Sequence, residues 1–494
     1  MEKIYEYKSN IDHTEIGIKQ FRSLFFIEMW ERYAFYAFQS VFILFITFLK
    51  FSSKESYLTF GTFSALLWMS PTVGGLLADK ILGHNRSLII GAIIFSFGYA
   101  LLGYSASDPQ FVYIALAIIV VGNGLFKPMP STMIANIYKN NSKKTKSAFT
   151  YYYMSIQIGG GVGILLAPQI AYHLGFSYAF ISSSAGILIG LGNFLLKNSI
   201  MRRAGNIIDQ NKMKISHISN ATILLTLTFI LSYYMFYYIN TAYYVVSLLS
   251  IIIIIHLLLI AHQETNTASK IKLLIGTLLI IMAIPFWVIY NQIFSTFILF
   301  AKQNMNLSFF MIKLAPGNIA FFDLIGVLLV SPILVKIYKS LSNKKIHINI
   351  MYKFSVGQVF TALSILLLLS ACLFDSHNGY VSVMWMLPVF ILFAVGEVLI
   401  SALGLAMIGS YFPKNIVGYA MGTWWLACAI GGLLTGKIAS LFAVVPHNIS
   451  PINSISIYEK YFSQLGISAI IVGMFYLFLA YLVSRATKHI IILP

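Results

Sequence analysis

Long apolar stretches recur along the chain from residue 22 to residue 484. Each has about 20 residues or more, which is the length that an α-helix needs to cross the hydrocarbon core of a bilayer. Charged residues make up only 10% of the chain, whereas about 25% of the residues of a soluble domain are charged. The sequence therefore predicts an all-α polytopic membrane protein.

Hydropathy predicts 14 membrane-spanning helices, and an even number places both termini on the same side of the membrane. Of the 33 Lys and Arg residues, 25 lie in segments on the amino-terminal side, 5 lie on the opposite side and 3 lie within spans. Short cytoplasmic segments are enriched in Lys and Arg, so this bias predicts that both termini are cytoplasmic. The predicted spans are residues 22–50, 57–80, 87–105, 110–136, 147–171, 175–198, 219–239, 241–262, 271–301, 319–338, 349–372, 381–411, 415–443 and 461–484.

The formal net charge of +18 could also indicate a nucleic-acid-binding protein. Because the basic residues are concentrated on one side of the membrane, their excess reflects orientation and contact with anionic lipid instead. We therefore expect membrane lipid as a partner and exclude nucleic acid. The polar amino-terminal segment lacks the apolar region of a cleavable signal. The high content of Ile, Lys and Asn indicates an AT-rich genome, so we expect the inner (plasma) membrane of a bacterium.

Two segments indicate an internal repeat: MSPTVGGLLADK at residues 69–80 and VSPILVKIYK at residues 330–339. If spans 219–239 and 241–262 are an insertion, the remaining spans divide into six and six, as in secondary transporters with repeated halves. The predicted domains are a six-helix bundle at 1–200, a linker with two extra transmembrane helices at 201–268 and a second six-helix bundle at 269–494. No Walker A sequence supports ATP-driven pumping.

The segment FFIEMWERYAFYAF, residues 25–38, places charged residues inside the first apolar stretch. On a helix, Glu28, Glu31, Arg32, Phe35 and Gln39 fall on one stripe. Charged groups are costly inside a membrane unless they are paired or hydrated, so this stripe is expected to face the bundle interior or a water-filled cavity. The arrangement predicts a site that binds protons or ligand. The alternative is an internal salt bridge that only fixes the helix.

Lys127 and Glu397 lie near the middle of two other spans, 110–136 and 381–411. With the insertion removed, these spans are the fourth and the tenth, which are equivalent members of the two halves. A cation in one half and an anion in the other predict a pair across a central cavity, and ligand or proton binding at Glu397 would weaken that pair. The alternative is two unrelated charges, each in its own pocket.

Six segments of the chain resemble motifs of one family. EMWERYAFY resembles the E-x-x-E-R-F-x-Y-Y motif of the proton-dependent oligopeptide transporter (POT, or PTR) family of the major facilitator superfamily. GGLLADKILGHNR is similar to its G-G-x-L-A-D loop, GNGLFKP to its helix-four motif and FTYYYMSIQIG to its F-Y-x-x-x-N-x-G signature. GEVLISALGLAM and MGTWWL are similar to its G-E-L-x-x-S-P-x-G-L and M-G-x-W-F-L segments. The segments follow the family order over residues 28–426, and the extra helices at 219–262 are similar to those of bacterial members.

The resemblance implies a major facilitator fold of 6+6 helices plus the two extra helices. It also implies proton-coupled symport of di- and tripeptides into the cell by alternating access, with protons as the coupling ion, no other cofactor and a monomer. The residues implied in proton coupling are Glu28, Glu31, Arg32, Lys127 and Glu397. The residues implied in peptide binding are Tyr36, Gln39, Lys127, Tyr153, Gln157, Asp323, Glu397, Ser401 and Trp424.

Five positions depart from the family pattern. Gln157 replaces the helix-five Asn, and Asp323 replaces a usual Asn and adds a possible second anion near the peptide amino group. Gln39 stands where many members have Arg, Trp68 where Tyr is common, and Ala402 where the motif has Pro. Most of these positions are expected around the cavity, so the changes bear on substrate preference and pH profile and not on the fold.

Three alternative functions fit the sequence less well. A transporter of the same family could carry another solute, such as an amino acid, nitrate or a peptide-like metabolite, and the changes at Asp323 and Gln157 favour this alternative. A non-transporting peptide sensor would need a cytoplasmic partner surface, but the cytoplasmic segments are short and contain no domain. A membrane enzyme would need a paired nucleophile and base or a metal cluster, and Cys372 and Cys428 match no metal-ligand spacing.

Overall fold

The computed structural model describes residues 2–139, 141–346, 348–446 and 449–487. Most of these residues are helical, because backbone N–H and C=O groups inside a membrane must be paired within the protein. The helices in the first half of the chain are α1 (Glu2–Phe48), α2 (Ser53–Leu77), α3 (His84–Tyr104), α4 (Val112–Phe126), α5 (Met129–Ile137), α6 (Ser142–His173), α7 (Phe176–Leu196), α8 (Asn198–Met201), α9 (Ile207–Gln210) and α10 (Ile215–Tyr237). Those in the second half are α11 (Ile239–Gln263), α12 (Thr267–Met282), α13 (Ile284–Tyr290), α14 (Thr296–Asn304), α15 (Phe321–Asn343), α16 (Ile350–Phe374), α17 (Met386–Glu397), α18 (Leu403–Tyr411), α19 (Val417–Phe442) and α20 (Pro451–Thr487).

Short strands occur in two of the segments between these helices. They are β1 (Met305–Asn306), β2 (Ser308–Phe309), β3 (Ile312–Lys313) and β4 (Val381–Ser382). β1 pairs in parallel with β4, and β2 pairs antiparallel with β3. The first pairing joins the segment after α14 to the segment before α17.

Within the described residues, 13 helical segments are long and apolar enough to cross a membrane. α1 is not one of these segments, and it carries the charged residues Glu28, Glu31 and Arg32. The prediction of an all-α polytopic membrane protein is therefore confirmed, whereas the number of 14 spans stays a prediction.

Three predicted spans are interrupted in their interior, away from the ends of the span. Span 110–136 is interrupted between Phe126 and Met129, where Pro128 cannot donate a backbone hydrogen bond. Span 271–301 divides into α12, α13 and α14, with Pro285 in the first turn of α13. Span 381–411 contains a π-helical turn, Val398–Ala402, between α17 and α18. Hydropathy does not register these breaks, because the residues on both sides of each break are equally apolar.

The structure divides the chain into two compact units. Unit 1 contains Met1–Phe45 and Met69–Tyr238, and unit 2 contains Ile46–Trp68 and Ile239–Pro494. The extra helix α10 belongs to unit 1, where Phe236 stacks on Tyr113 of α4. The extra helix α11 belongs to unit 2, where the Tyr243 hydroxyl donates a hydrogen bond of 3.1 Å to the Leu433 carbonyl of α19. The predicted domains 1–200, 201–268 and 269–494 stay a prediction.

The turn between α2 and α3 is fixed by a carboxylate from a later segment of unit 1. Gly83 has a φ of 89°, and a Cβ at this position would lie 2.4 Å from Asp209 Oδ1. The Asp209 carboxylate accepts hydrogen bonds from the backbone N–H groups of Asn85 (3.1 Å), Arg86 (3.3 Å) and Asn206 (3.1 Å). Asp209 therefore caps the first turn of α3 and holds the segment around α9 against it.

Candidate functional site

In unit 1, α1 packs against both α6 and α7 through glycines. A Cβ at Gly159 of α6 would lie 2.0 Å from the Met29 carbonyl oxygen, and one at Gly163 would lie 2.5 Å from the Tyr33 carbonyl oxygen. A Cβ at Gly186 of α7 would lie 2.9 Å from the Tyr33 ring. Small residues let helix backbones approach closely in a membrane. These contacts fix the middle of α1 and therefore the side chains that it carries.

Glu28, Glu31 and Arg32 form a buried ion cluster on α1, with 2%, 1% and 4% of their surface exposed. The Arg32 guanidinium donates two hydrogen bonds of 2.5 Å to the Glu31 carboxylate. Arg32 Nε also lies 3.2 Å from Glu28 Oε1. Buried charges are tolerated when such pairing replaces their hydration. As the stripe predicted, the three charges face the interior of the protein.

Arg32 and Lys127 both contact the ring of Phe35. Arg32 Cζ lies 4.8 Å and Lys127 Nζ lies 5.0 Å from the ring centroid, which is within the range of cation–π attraction. Lys127, at the break between α4 and α5, is also close enough to act electrostatically on Glu28 and Glu31. The stripe on α1 has two carboxylates but only one cation, Arg32. Lys127 supplies the second cation.

Tyr152 of α6 also lies at this cluster, and it is not among the site residues predicted from the sequence. Its hydroxyl is close enough to the Glu28 carboxylate for the two groups to act on each other electrostatically. Tyr152 precedes Gly159 by seven residues and Gly163 by eleven, so all three fall on the face of α6 that packs against α1. This spacing is the signal that could have identified Tyr152. The family motif indicated the following residue, Tyr153, instead.

The other predicted residues of unit 1 also lie on α1 and α6. Tyr36 is half-buried and packs on Gly160, where a Cβ would lie 2.8 Å from its ring. Gln39 is buried, Gln157 is half-buried, and Tyr153 is 53% exposed. The structure therefore brings Tyr36 to the contact between α1 and α6 and leaves Tyr153 on an exposed face of α6.

In unit 2, Asp323 of α15 and Glu397 of α17 bring two carboxyl groups together. The two groups lie within hydrogen-bonding reach of each other. Asp323 Oδ1 and Glu397 Oε2 are buried and have no hydrogen-bond partner among the described residues. The backbones approach closely here, because a Cβ at Gly326 would lie 2.5 Å from the Phe390 carbonyl oxygen. The sequence predicted an additional anion at Asp323 but not its contact with Glu397.

Ser401 and Trp424 also belong to unit 2. Ser401 is half-buried in the π-helical turn that follows Glu397. Trp424 of α19 is only 1% exposed. A Cβ at Gly404 of α18 would lie 2.0 Å from its ring, and the Trp287 ring lies 6.3 Å away between centroids. Trp424 is therefore packed in the core of unit 2, and its contact with peptide stays a prediction.

The predicted pairing of Lys127 with Glu397 also stays a prediction, because these residues belong to different units. Across the ranges that the structure describes, no group of three or more His, Cys, Asp and Glu side chains could hold a metal ion. What each unit presents is a set of buried carboxyl groups whose charge changes when they bind a proton.

Known proteins are similar to this chain over most of its length. The sequence model of the POT family matches residues 85–457. A dipeptide and tripeptide permease B from Aliivibrio fischeri (strain MJ11) is 32% identical over 461 residues, which cover 92% of this chain and 92% of that protein. A dipeptide and tripeptide permease A from Enterobacter sp. (strain 638) is 32% identical over 472 residues, which cover 95% of this chain and 93% of that protein.

Solved structures share the fold of this chain. A bacterial homologue of the human drug peptide transporters superposes with a TM-score of 0.82 at 28% identity and covers 95% of this chain and 99% of its own. Tetrameric PepTSo2 superposes with a TM-score of 0.83 at 28% identity, with coverage of 95% and 99%. The predicted major facilitator fold is therefore confirmed.

Proposed function

The chain belongs to the POT family, and from this premise we propose that it imports di- and tripeptides by proton-coupled symport through alternating access. Relatives named as dipeptide and tripeptide permeases cover more than nine-tenths of the chain, which supports peptides as the substrate class. Proton coupling follows from the family, whose members use the inward proton gradient to drive uptake. The protein is therefore a transporter and not an enzyme.

The observation that carries this proposal is the buried cluster of Glu28, Glu31, Arg32 and Lys127 around Phe35. Its two carboxylates and two cations balance while both carboxylates are ionised. Uptake of one proton leaves a net positive charge in buried surroundings, which is unfavourable unless an anion binds or the helices rearrange. The carboxylate of a peptide is such an anion, so protonation and peptide binding favour each other.

The roles that we propose for single residues follow from the charges of a short peptide, which is a zwitterion. Lys127 attracts the peptide carboxylate and Glu397 attracts the peptide amino group. Proton coupling is assigned to Glu28, Glu31, Arg32, Lys127 and Glu397. The peptide cavity is assigned to Tyr36, Gln39, Lys127, Tyr153, Gln157, Asp323, Glu397, Ser401 and Trp424.

We propose that the protein works in the inner membrane of a bacterium with both termini in the cytoplasm. The distribution of Lys and Arg between the two sides supports this orientation. The transport cycle uses protons and no other cofactor. We also propose a monomer as the working unit, although PepTSo2 is described as tetrameric both in crystals and in a nanoparticle. Light scattering of the purified protein during size-exclusion chromatography tests this last point.

Uptake of labelled dialanine into proteoliposomes, with and without an inward proton gradient, tests the proposed function. We expect accumulation above the outside concentration only when the gradient is imposed. Glu397→Gln should abolish this accumulation while the protein remains folded, and Glu459→Gln, on α20, is the matched control that should not. The proposal is wrong if purified protein that is shown to be folded by a cooperative melting transition takes up no dipeptide, either with or without the gradient.

Competition distinguishes a peptide transporter from a transporter of another solute. A site that holds the backbone charges of a peptide and tolerates many side chains should be inhibited by many unrelated dipeptides. Inhibition by only one or a few compounds would instead favour a specialised substrate, such as an amino acid, nitrate or a peptide-like metabolite.

A further inference from the structure

We infer that Asp323 and Glu397 form a carboxyl–carboxylate pair that holds one shared proton and is a proton-binding site of unit 2. The use of this proton in transport rests on the proposed function, whereas the pair itself is defined by contacts inside unit 2. The family pattern, which usually has Asn at position 323, does not supply such a pair.

Close backbone packing on two sides of α17 positions the pair. Toward α15, a Cβ at Gly326 would lie 2.5 Å from the Phe390 carbonyl oxygen. Toward α16, a Cβ at Gly396 would lie 2.0 Å from Thr361 Oγ1. Gly326 lies one turn from the aspartate, and Gly396 directly precedes the glutamate. The two side chains therefore start from backbones that are held close together.

The contact between the two carboxyl groups requires a proton. An ionised carboxylate only accepts hydrogen bonds, so two of them can share a hydrogen bond only when one is protonated. Two negative charges at contact distance repel each other strongly in buried surroundings. Asp323 Oδ1 and Glu397 Oε2 have no other donor among the described residues that could compensate this repulsion. One proton on the pair removes the repulsion and supplies the missing donor.

Other titratable groups on the neighbouring helices are paired elsewhere, are phenols or lie far from the pair. α16, which packs against α17, carries Lys353, whose ammonium lies 5.5 Å from the centroid of the Tyr338 ring, and Cys372, which interacts with Glu459. α13 presents Tyr290 toward α17, and a phenol remains protonated near neutral pH. The basic residues of α15 begin thirteen residues after the aspartate, about 20 Å further along the helix. Among the titratable groups in the described part of unit 2, the one that acts on each carboxyl is therefore the other carboxyl.

A shared proton leaves the pair with one negative charge. One cationic group, such as the amino group of a peptide, then neutralises the pair completely. The proton and the peptide can therefore occupy this site together, which is what symport in one direction requires. Loss of the proton restores the second negative charge, whose repulsion favours a change in the contact between α15 and α17.

Infrared difference spectroscopy of the purified protein in lipid nanodiscs, without peptide, tests the pair directly. The carbonyl stretching band of a protonated carboxyl should be present at neutral pH in the natural protein. Asp323→Asn and Glu397→Gln should each reduce this band, and Asp375→Asn, whose carboxylate accepts a hydrogen bond from Trp385 in the segment before α17, should leave it unchanged. Melting temperatures close to that of the natural protein show that each variant is folded. A band that both pair variants leave unchanged would overturn the inference.

The pH dependence of dialanine uptake tests the use of this proton. In Asp323→Asn, the amide carries no like charge and can donate a hydrogen bond to the Glu397 carboxylate. Both effects stabilise the ionised glutamate, so a lower pH is needed to protonate Glu397. We expect half-maximal proton-driven uptake to move by about one pH unit or more toward acid, while Asp375→Asn keeps the natural profile. An unchanged profile would show that the pair takes no part in coupling.

If the natural protein takes up no dipeptide, the proposed function fails, and the infrared result still decides whether the pair holds a proton.

Discussion

Phe35 lies in contact with two cations, and this arrangement explains how the first helix keeps its charges. The face of an aromatic ring attracts a cation, so a ring shared by Arg32 and Lys127 offsets part of their mutual repulsion. The carboxylates of Glu28 and Glu31 compensate the rest. The cluster is therefore sensitive to the geometry of each group and not only to the sum of their charges.

Arg32→Lys tests this dependence on geometry. A lysine keeps the charge but cannot form two parallel hydrogen bonds with the Glu31 carboxylate, as the guanidinium does. Loss of one charge-assisted hydrogen bond costs about 1.5–3 kcal/mol, so we expect proton-driven dialanine uptake in proteoliposomes to fall by about tenfold or more. Arg22→Lys, at an exposed position of the same helix, is the control. Uptake by Arg32→Lys equal to that of the control would contradict the prediction.

At the scale of elements, the glycines of α6 decide how closely α1 can approach. Gly159→Ala places a Cβ 2.0 Å from the Met29 carbonyl oxygen, so we expect a loss of about 1–3 kcal/mol in stability from overpacking. Gly192→Ala on α7 is the matched control, because no atom lies within 4 Å of its Cβ position and alanine favours a helix over glycine. Thermal melting in detergent should show a lower melting temperature for Gly159→Ala only. Equal melting temperatures for Gly159→Ala and Gly192→Ala would mean that α1 and α6 can move apart to admit the Cβ with little loss of stability.

A second prediction at this scale concerns the cap of α3. Both oxygens of Asp209 accept backbone hydrogen bonds, so Asp209→Asn turns an NH₂ group toward at least one backbone donor. We expect a loss of about 1–3 kcal/mol, measured as a lower melting temperature and as faster proteolysis of residues 198–214. Asp108→Asn is the control, because Asp108 accepts hydrogen bonds from Gln110 in its own turn and Asn caps as well as Asp. A melting temperature unchanged by Asp209→Asn would exclude the cap as a stabilising contact.

Some elements of the fold were predictable from the sequence and others were not, for physical reasons. Long apolar helices are predictable, because every span must be apolar over most of its length. The breaks at Pro128 and after Glu397 are not, since hydropathy does not depend on backbone hydrogen bonding. Hydropathy also misses the amino-terminal part of α1, because that part is polar. An ion pair of 2.7 Å between Glu15 and Lys19 supports the helix there. The role of Asp209 depends on a contact with a turn more than 100 residues earlier.

At the scale of the whole molecule, the charged residues of the spans were predictable and most of their partners were not. The stripe on α1 is a local property of one helix, so helical periodicity groups Glu28, Glu31 and Arg32 correctly. The contacts of Lys127 with Phe35, and of Asp323 with Glu397, join different helices. Only tertiary packing determines such partners, and a single sequence contains no direct signal for them.

The orientation of the whole molecule is the last prediction, and cysteine labelling tests it. The positive-inside bias predicts that Ser342 lies on the cytoplasmic side and Ser308 on the opposite side, and both residues are exposed. The natural Cys372 and Cys428 are each 0% exposed, so they should not react and can remain in place. A membrane-impermeant maleimide should label Ser308→Cys in intact cells and should label Ser342→Cys only after the membrane is permeabilised. The reverse pattern would show that the basic residues do not determine the orientation of this chain, and it would place both termini outside.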